Sequence, residues 1–129
     1  MKRILIALLA VILLTSCSAP QDELGYKQIS TDEAIEIIDS EDEYVILDVR
    51  TVEEFQEKHI PGAINVPNEE IGTESIEELP DKEQLILVYC RSGNRSKQAS
   101  EKLVALGYTN IVEFGGINDW TGETVSENS

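Results

Sequence analysis

Apolar and polar residues follow one another along this chain in blocks that predict a parallel α/β sheet. The run at 44–49 is almost wholly apolar, which is typical of a central parallel strand covered on both faces. Five segments have the composition of strands: 26–29, 44–49, 63–66, 85–90 and 110–114. Polar stretches with helical signals separate them. Strands that alternate with short helices predict an α/β sandwich built on a parallel five-stranded sheet.

The helices are marked by their end signals. A capping box, in which a serine or threonine and a glutamate three residues later satisfy each other's backbone N–H groups, occurs at 30–33 and again at 51–54. We expect a third helix over 96–106, closed by Gly107. One or two helical turns are expected within 68–79. The pair Gly115 and Gly116 predicts a turn into a last short helix that holds Trp120.

The N-terminus has the pattern of an export signal. A basic start at 1–3 precedes an apolar run at 4–14, which as a helix would extend ~16 Å. Because the hydrocarbon core of a bilayer is about 30 Å thick, this run is too short for a permanent span and is typical of a signal peptide. Leu-Thr-Ser-Cys at 14–17 resembles the lipobox of bacterial lipoproteins, in which the cysteine, here Cys17, is lipidated and becomes the first residue after cleavage.

This reading divides the chain into a lipoprotein signal peptide at 1–16, a lipidated Cys17 with a tether over 17–25, a folded domain over 26–125 and a tail at 126–129. It predicts a membrane-anchored lipoprotein of the bacterial cell envelope, with the domain outside the cytoplasm. An ordinary secretory signal cleaved nearby and an uncleaved anchor are the alternatives. A lipidated Cys17 could not pair with Cys90, which would leave one free thiol in an exported protein.

The acidic net charge of the chain restricts the binding partners that can be expected. The 129 residues carry 25 acidic against 10 Lys and Arg side chains, a formal net charge of −15. Phosphate contacts need a basic surface, so nucleic acid is not expected as a partner. Electrostatic attachment to anionic lipid is disfavoured for the same reason, which leaves the lipid anchor as the contact with the membrane. One histidine and one free cysteine do not make a metal site, and we expect neither a metal nor a cofactor.

The candidate chemistry lies in the segment from Cys90 to Ser96, which reads Cys-Arg-Ser-Gly-Asn-Arg-Ser. A predicted strand leads into it and a predicted helix leads out. Free N–H groups at a helix N-terminus and along a curled loop bind anions and favour a thiolate. Gly93 permits the positive φ that such a curl needs. The alternative is a half-buried structural cysteine, but two nearby arginines would be costly without an anion to face.

Taken in order, these motifs resemble the single-domain rhodanese sulfurtransferases. The matching segments are Leu-Asp-Val-Arg at 47–50, Glu-Phe at 54–55, His-Ile-Pro-Gly-Ala-Ile-Asn at 59–65, the cysteine loop at 90–96, Gly-Tyr at 107–108, and Gly-Gly-Ile at 115–117 with Trp120. The resemblance implies a three-layer sandwich with helices on both faces of the sheet. It also implies transfer of a sulfane sulfur from thiosulfate or a persulfide donor to a thiol or cyanide acceptor, through a persulfide on the loop cysteine.

The resemblance assigns roles to individual residues. Cys90 matches the nucleophile. The substrate-binding loop comprises Arg91, Ser92, Gly93, Asn94, Arg95 and Ser96. Asp48 and Arg50 would support the site, and we expect Asp48 to pair with Arg95. His59 is expected to pack and cap rather than act as a base. The family usually has glycine where Lys58 stands, and a left-handed lysine there would cost about 1–2 kcal/mol.

Two other functions fit the same fold. Phosphatases and arsenate reductases share it, but the phosphatase loop is one residue longer, and Cys90 to Arg95 matches the shorter, sulfur-transferring loop. Non-catalytic interaction modules of the family usually lack the cysteine, which this chain keeps. The prediction is therefore a membrane-tethered sulfurtransferase whose physiological donor and acceptor are open.

Overall fold

A five-stranded parallel sheet forms the centre of the molecule. The computed structural model describes residues 24–128, so Cys17 and the predicted signal peptide lie outside the described residues. The strands are β1 (Lys27–Gln28), β2 (Val45–Asp48), β3 (Ile64–Asn65), β4 (Ile86–Cys90) and β5 (Ile111–Gly116). Their order across the sheet is β1-β5-β4-β2-β3, and every neighbouring pair is parallel. The predicted sheet is confirmed.

Three α-helices and one 3₁₀ turn connect the strands: α1 (Thr31–Ser40), α2 (Val52–Glu57), α3 (Asn94–Ala105) and the turn at Asn68–Glu70. A second 3₁₀ turn, Ile117–Asp119, follows β5. Both capping boxes form as predicted. The side chains of Ser30 and Thr51 accept hydrogen bonds from the backbone N–H groups of Glu33 and Glu54. The two glutamate carboxylates in turn accept hydrogen bonds from the backbone N–H groups of Ser30 and Thr51. The last helix was predicted wrongly. Strand β5 continues through Gly116, and one 3₁₀ turn ends just before Trp120.

Apolar side chains cover both faces of the sheet, which gives the expected three layers. One buried cluster joins the sheet to α3 and to the segment after the first 3₁₀ turn; it includes Leu47, Val88, Ala99, Leu103 and Tyr108. The other joins the sheet to α1 and Trp120; it includes Ala34, Ile46, Leu87, Tyr89 and Phe114. Helix α2 has no buried residue and therefore lies at the edge of the core.

The turn after α2 differs from the expected one. Lys58 has a φ of −169°, which is extended backbone, so the left-handed strain expected there is absent. His59 is buried and stacks on Phe55 with ring centroids 3.7 Å apart, while its Nδ1 lies 2.7 Å from the Phe55 carbonyl oxygen. Its backbone also pairs with Val125 in an isolated antiparallel bridge. These are the contacts of a packing residue, as the sequence predicted.

Candidate active site

Cys90 is the last residue of β4 and lies at the carboxyl end of the sheet, where parallel α/β folds place their ligands. Its side chain is buried, with 1% of the residue exposed. The Gly93 N–H donates to its Sγ at 3.0 Å. Helix α3 begins at the next residue, two positions earlier than predicted. The sulfur therefore lies at the N-terminus of a helix, where the helix dipole stabilises negative charge.

Two glycines make this loop geometry possible. Gly93 has a φ of 116°, in the left-handed region, as the sequence predicted. Gly116 lies so close to the loop that a Cβ on it would come within 2.0 Å of the Arg91 carbonyl oxygen. A register shift between β4 and β5 sets Cys90 opposite Gly116. The end of β5 thus presses against the loop backbone, and only glycine fits at this contact.

The outer surface of the loop is open to solvent. Arg91, Ser92 and Asn94 are exposed. Arg91 lines a cavity of about 170 Å³ together with Arg50, Glu54, Glu57, Lys58, Ile117 and Asn118. Within residues 24–128, Arg91 takes part in none of the salt bridges. Its guanidinium is thus available to a soluble anion at the start of the loop.

Arg95 does not pair with Asp48, so that expectation was wrong. Its guanidinium forms a two-pronged salt bridge with Glu54 of α2, at 2.7 and 3.1 Å. The hydrogen bond from Arg95 lowers the pKa of Glu54 to about 2, so the pair stays charged at neutral pH. This contact ties α3 to α2 across the mouth of the loop. In the sequence Glu54 was identified as a capping residue and as part of the Glu-Phe motif, and nothing in the pattern indicated Arg95 as its partner.

Asp48 pairs instead with Arg50, two residues along the chain. The Arg50 Nη2 lies 2.6 Å from Asp48 Oδ2, and the backbone N–H of Arg50 donates to Oδ1 at 2.9 Å. Asp48 is fully buried and Arg50 is 4% exposed. Arg50 Nη2 also donates to the Lys58 carbonyl oxygen at 2.6 Å. The pair thus connects the end of β2 to the turn that carries His59.

No role was predicted for Glu113, which the structure places close to Cys90, with Ser96 between them. Ser96 Oγ lies 3.5 Å from Cys90 Sγ and 2.5 Å from Glu113 Oε2. Glu113 is buried, with 2% exposed. The available signal was an acidic residue inside an apolar strand, Ile-Val-Glu-Phe at 111–114. A lone charged residue in such a strand indicates a buried polar contact, but the sequence does not say with what.

Two larger cavities of the described residues lie away from the cysteine loop. One of about 340 Å³ is lined mainly by polar and acidic residues around 70–78, and one of about 320 Å³ by apolar residues including Ile35, Ile60 and Trp120. Neither contains a cysteine or a cluster of basic side chains, so size does not identify the site. In the described part of the chain, no group of three or more His, Cys, Asp or Glu residues could hold a metal ion.

The rhodanese-like domain family matches residues 30–123, which covers the whole sheet beyond β1 and the complete cysteine loop. The chain belongs to the rhodanese-like family. The resemblance inferred from the sequence motifs is confirmed. A second match, to the prokaryotic membrane lipoprotein lipid attachment site, covers residues 1–18 and indicates a membrane-anchored bacterial lipoprotein.

Relatives of this rhodanese-like domain are named as a sulfurtransferase and a sulfur carrier protein. The chain is 41% identical over 73 residues to Thiosulfate sulfurtransferase PspE of Escherichia coli (strain K12), covering 57% of this chain and 70% of that protein. It is 33% identical over 98 residues to Putative sulfur carrier protein YrkF of Bacillus subtilis (strain 168), covering 75% of this chain and 52% of that protein. These similarities support a sulfurtransferase activity that requires a sulfur donor and a sulfur acceptor.

The fold is also similar to that of solved rhodanese structures. A solved structure, rhodanese with anions from E. coli, matches with a TM-score of 0.59 at 37% identity, covering 64% of this chain and 98% of that chain. Within residues 24–128, none of the helices of this rhodanese-like domain has the length and apolar character to cross a membrane.

Proposed function

We propose that the protein is a membrane-tethered thiosulfate sulfurtransferase that carries the transferred sulfur as a persulfide on Cys90. The observation that carries the proposal is the position of the Cys90 sulfur, which accepts the Gly93 N–H at 3.0 Å at the start of α3. Such a position stabilises first a thiolate and then the anionic outer sulfur of a persulfide. No metal or cofactor takes part in the proposed reaction.

The reaction has two displacement steps. The Cys90 thiolate attacks the outer sulfur of thiosulfate; an S–S bond to Cys90 forms, the bond to the sulfite sulfur breaks, and sulfite leaves with its electron pair. Cyanide or an acceptor thiolate then attacks the outer sulfur of the persulfide, and the Cys90 thiolate leaves. Attack by a thiolate on sulfane sulfur removes no proton in the bond-forming step. His59, whose Nδ1 contacts the Phe55 carbonyl oxygen, therefore needs no catalytic role.

Some residues of the site would bind the sulfur donor, and others would hold the loop in position. The N–H groups of residues 91–96 are the proposed donors to the outer sulfur, in the manner of an oxyanion hole. Arg91 would attract an anionic donor, because its guanidinium is exposed and takes part in none of the salt bridges of residues 24–128. Arg95 would act through position, since Glu54 already neutralises its charge. Asp48 and Arg50 would hold the end of β2 beside β4.

The persulfide is tested by mass spectrometry. Thiosulfate treatment should add the mass of one sulfur atom to the peptide that contains Cys90, and cyanide should remove it. Sulfite is the matched control, because it is a similar anion without a sulfane sulfur, and it should add nothing. If the Cys90 peptide keeps its mass after thiosulfate while a known rhodanese treated in parallel gains sulfur, the proposal is wrong.

The membrane tether is tested by Cys17→Ala. Since the lipid attachment site lies within residues 1–18 and the family match begins at residue 30, this change should release the protein from the membrane fraction and leave it folded and active. Cys90→Ala is the control and should stay in the membrane fraction. A Cys17→Ala protein that still sediments with membranes would indicate an uncleaved anchor instead of a lipid.

A further inference from the structure

Glu113 is a buried acid without a basic partner. It lies on β5 with 2% of its surface exposed, and none of the salt bridges formed by residues 24–128 includes it. Its Oε2 accepts hydrogen bonds from the Gly115 N–H at 2.9 Å and from Ser96 Oγ at 2.5 Å. Within the described residues these two donors are its hydrogen-bond partners, and a buried carboxyl group held in this way is costly when ionised.

Ser96 connects this acid to the nucleophile. Its Oγ lies 3.5 Å from Cys90 Sγ on one side and 2.5 Å from Glu113 Oε2 on the other. The Gly93 and Gly115 carbonyl oxygens are also near, at 3.0 and 3.3 Å. A hydroxyl has one proton to donate, and Glu113 is its closest acceptor. A lone pair of Ser96 Oγ is then free to accept the S–H of Cys90.

We propose that Glu113 is the proton acceptor for Cys90, acting through Ser96. The Cys90 S–H bond breaks as its proton passes to Ser96 Oγ, and the Ser96 proton passes to Glu113 Oε2. The products are a Cys90 thiolate, an unchanged Ser96 hydroxyl and a neutral Glu113 carboxylic acid. One proton is thereby shared by two acids, and the buried site carries a single negative charge in both arrangements.

The distance between Cys90 and Glu113 favours one proton shared by the two groups over two separate negative charges. The sulfur and Glu113 Oε2 are at most about 6 Å apart, as the two contacts with Ser96 require. Two buried anions at this distance disfavour each other, so one group holds the proton when the other is ionised. Glu113 would keep it while Cys90 carries sulfur as an anionic persulfide. After the sulfur has left, the proton can return to Cys90.

Other ionisable groups surround this pair without linking it. Lys97 of α3 shares with Glu113 the lining of a cavity of about 250 Å³. Tyr26, just before β1, has its pKa raised by burial and by the charges of Glu101 and Glu113. Arg95 has its pKa raised by the hydrogen bond to Glu54, to which its guanidinium is bound. Ser96 is the side chain in the described residues that hydrogen-bonds to both Cys90 and Glu113.

The test is the pH dependence of Cys90 alkylation by iodoacetamide, a small neutral probe, in the full chain. The rate is measured from the mass of the Cys90 peptide, so Cys17 does not interfere. A shared proton gives two steps, because the thiolate fraction is constant between the loss of the first and second protons. The wild-type rate should therefore rise, reach a plateau and rise again.

Glu113→Gln keeps the shape of the side chain and removes the proton acceptor. It should show a single step, at the pH where Cys90 alone loses its proton, and the low-pH plateau of the wild-type rate should be lost. Glu101→Gln is the matched control, because it removes an exposed negative charge from α3, and it should keep both steps. Ser96→Ala should lower the plateau, which keeps the test decisive if Glu113→Gln fails to fold.

Three results would overturn the inference. A two-step profile in Glu113→Gln or an unchanged plateau in Ser96→Ala would mean that the carboxyl group has only a structural role. Faster alkylation of Glu113→Gln near neutral pH would mean that Glu113 merely repels the thiolate. The inference rests on the proposed function for its place in the cycle, but alkylation reports the ionisation of Cys90 whether or not sulfur is transferred. The two proposals can therefore fail separately.

Discussion

Cys90→Ser should reduce thiocyanate production from thiosulfate and cyanide to the uncatalysed background while the domain stays folded. Serine has nearly the shape of cysteine, and its Oγ can accept the Gly93 N–H that now donates to Sγ. A hydroxyl at this position cannot form a persulfide and is a far weaker nucleophile than a thiolate at neutral pH. The expected loss is therefore chemical, and circular dichroism should show an unchanged fold.

Ser100→Ala is a suitable control for this variant. Ser100 is buried on α3, four residues after Ser96, and in the described part of the chain its Oγ is without a hydrogen-bond partner. Removing that hydroxyl perturbs the same helix without touching the sulfur, so activity should be retained. Thiocyanate production by Cys90→Ser above background would contradict the assignment of Cys90, whatever the control does.

The parts of the fold that the sequence predicted are those set by local chemistry. Each capping box needs only a hydroxyl and a glutamate three residues apart, and both formed. The cysteine loop depends on a strand, a glycine able to adopt positive φ and a following helix, all within the segment 85–106. Periodicity and turn chemistry identify such features because the interacting residues are neighbours in the chain.

The contacts that the sequence missed join residues far apart in the chain. Arg95 and Glu54 are separated by 41 positions, and Ser96 and Glu113 by 17. Asp48 is an exception to this distance: it was expected to pair with Arg95, but its partner is Arg50, two residues along the chain. Charge pairing shows that a buried acid needs a partner but does not choose among arginines, since the choice depends on where packing places each side chain.

The prediction of a last helix failed for a different reason. Two adjacent glycines usually indicate a turn, which is why a helix was expected after Gly116. In the structure Gly116 is still part of β5, and its missing side chain makes room for the Arg91 carbonyl oxygen. The glycine serves a close approach between two backbones, and a sequence read along one strand does not reveal what approaches it from another.

Arg50→Met should be the most destabilising of the single substitutions considered, with the free energy of unfolding reduced by about 3–5 kcal/mol. Asp48 is fully buried, and in this variant its carboxylate would lose every hydrogen bond from the guanidinium while keeping the one from the backbone N–H of residue 50. The Lys58 carbonyl oxygen would lose its donor as well. Urea unfolding, with the slope of free energy against urea unchanged, measures the loss.

The double variant Asp48→Asn with Arg50→Met separates the lost ion pair from the charge left behind. A neutral amide in place of the carboxylate should recover part of the stability, because most of the cost in Arg50→Met comes from an unpaired buried charge. Arg91→Met, at an exposed position, should change the unfolding free energy by less than about 0.5 kcal/mol. If Arg50→Met behaves like Arg91→Met, or if the double variant is less stable than Arg50→Met, then the Asp48–Arg50 pair does not hold the end of β2 in place.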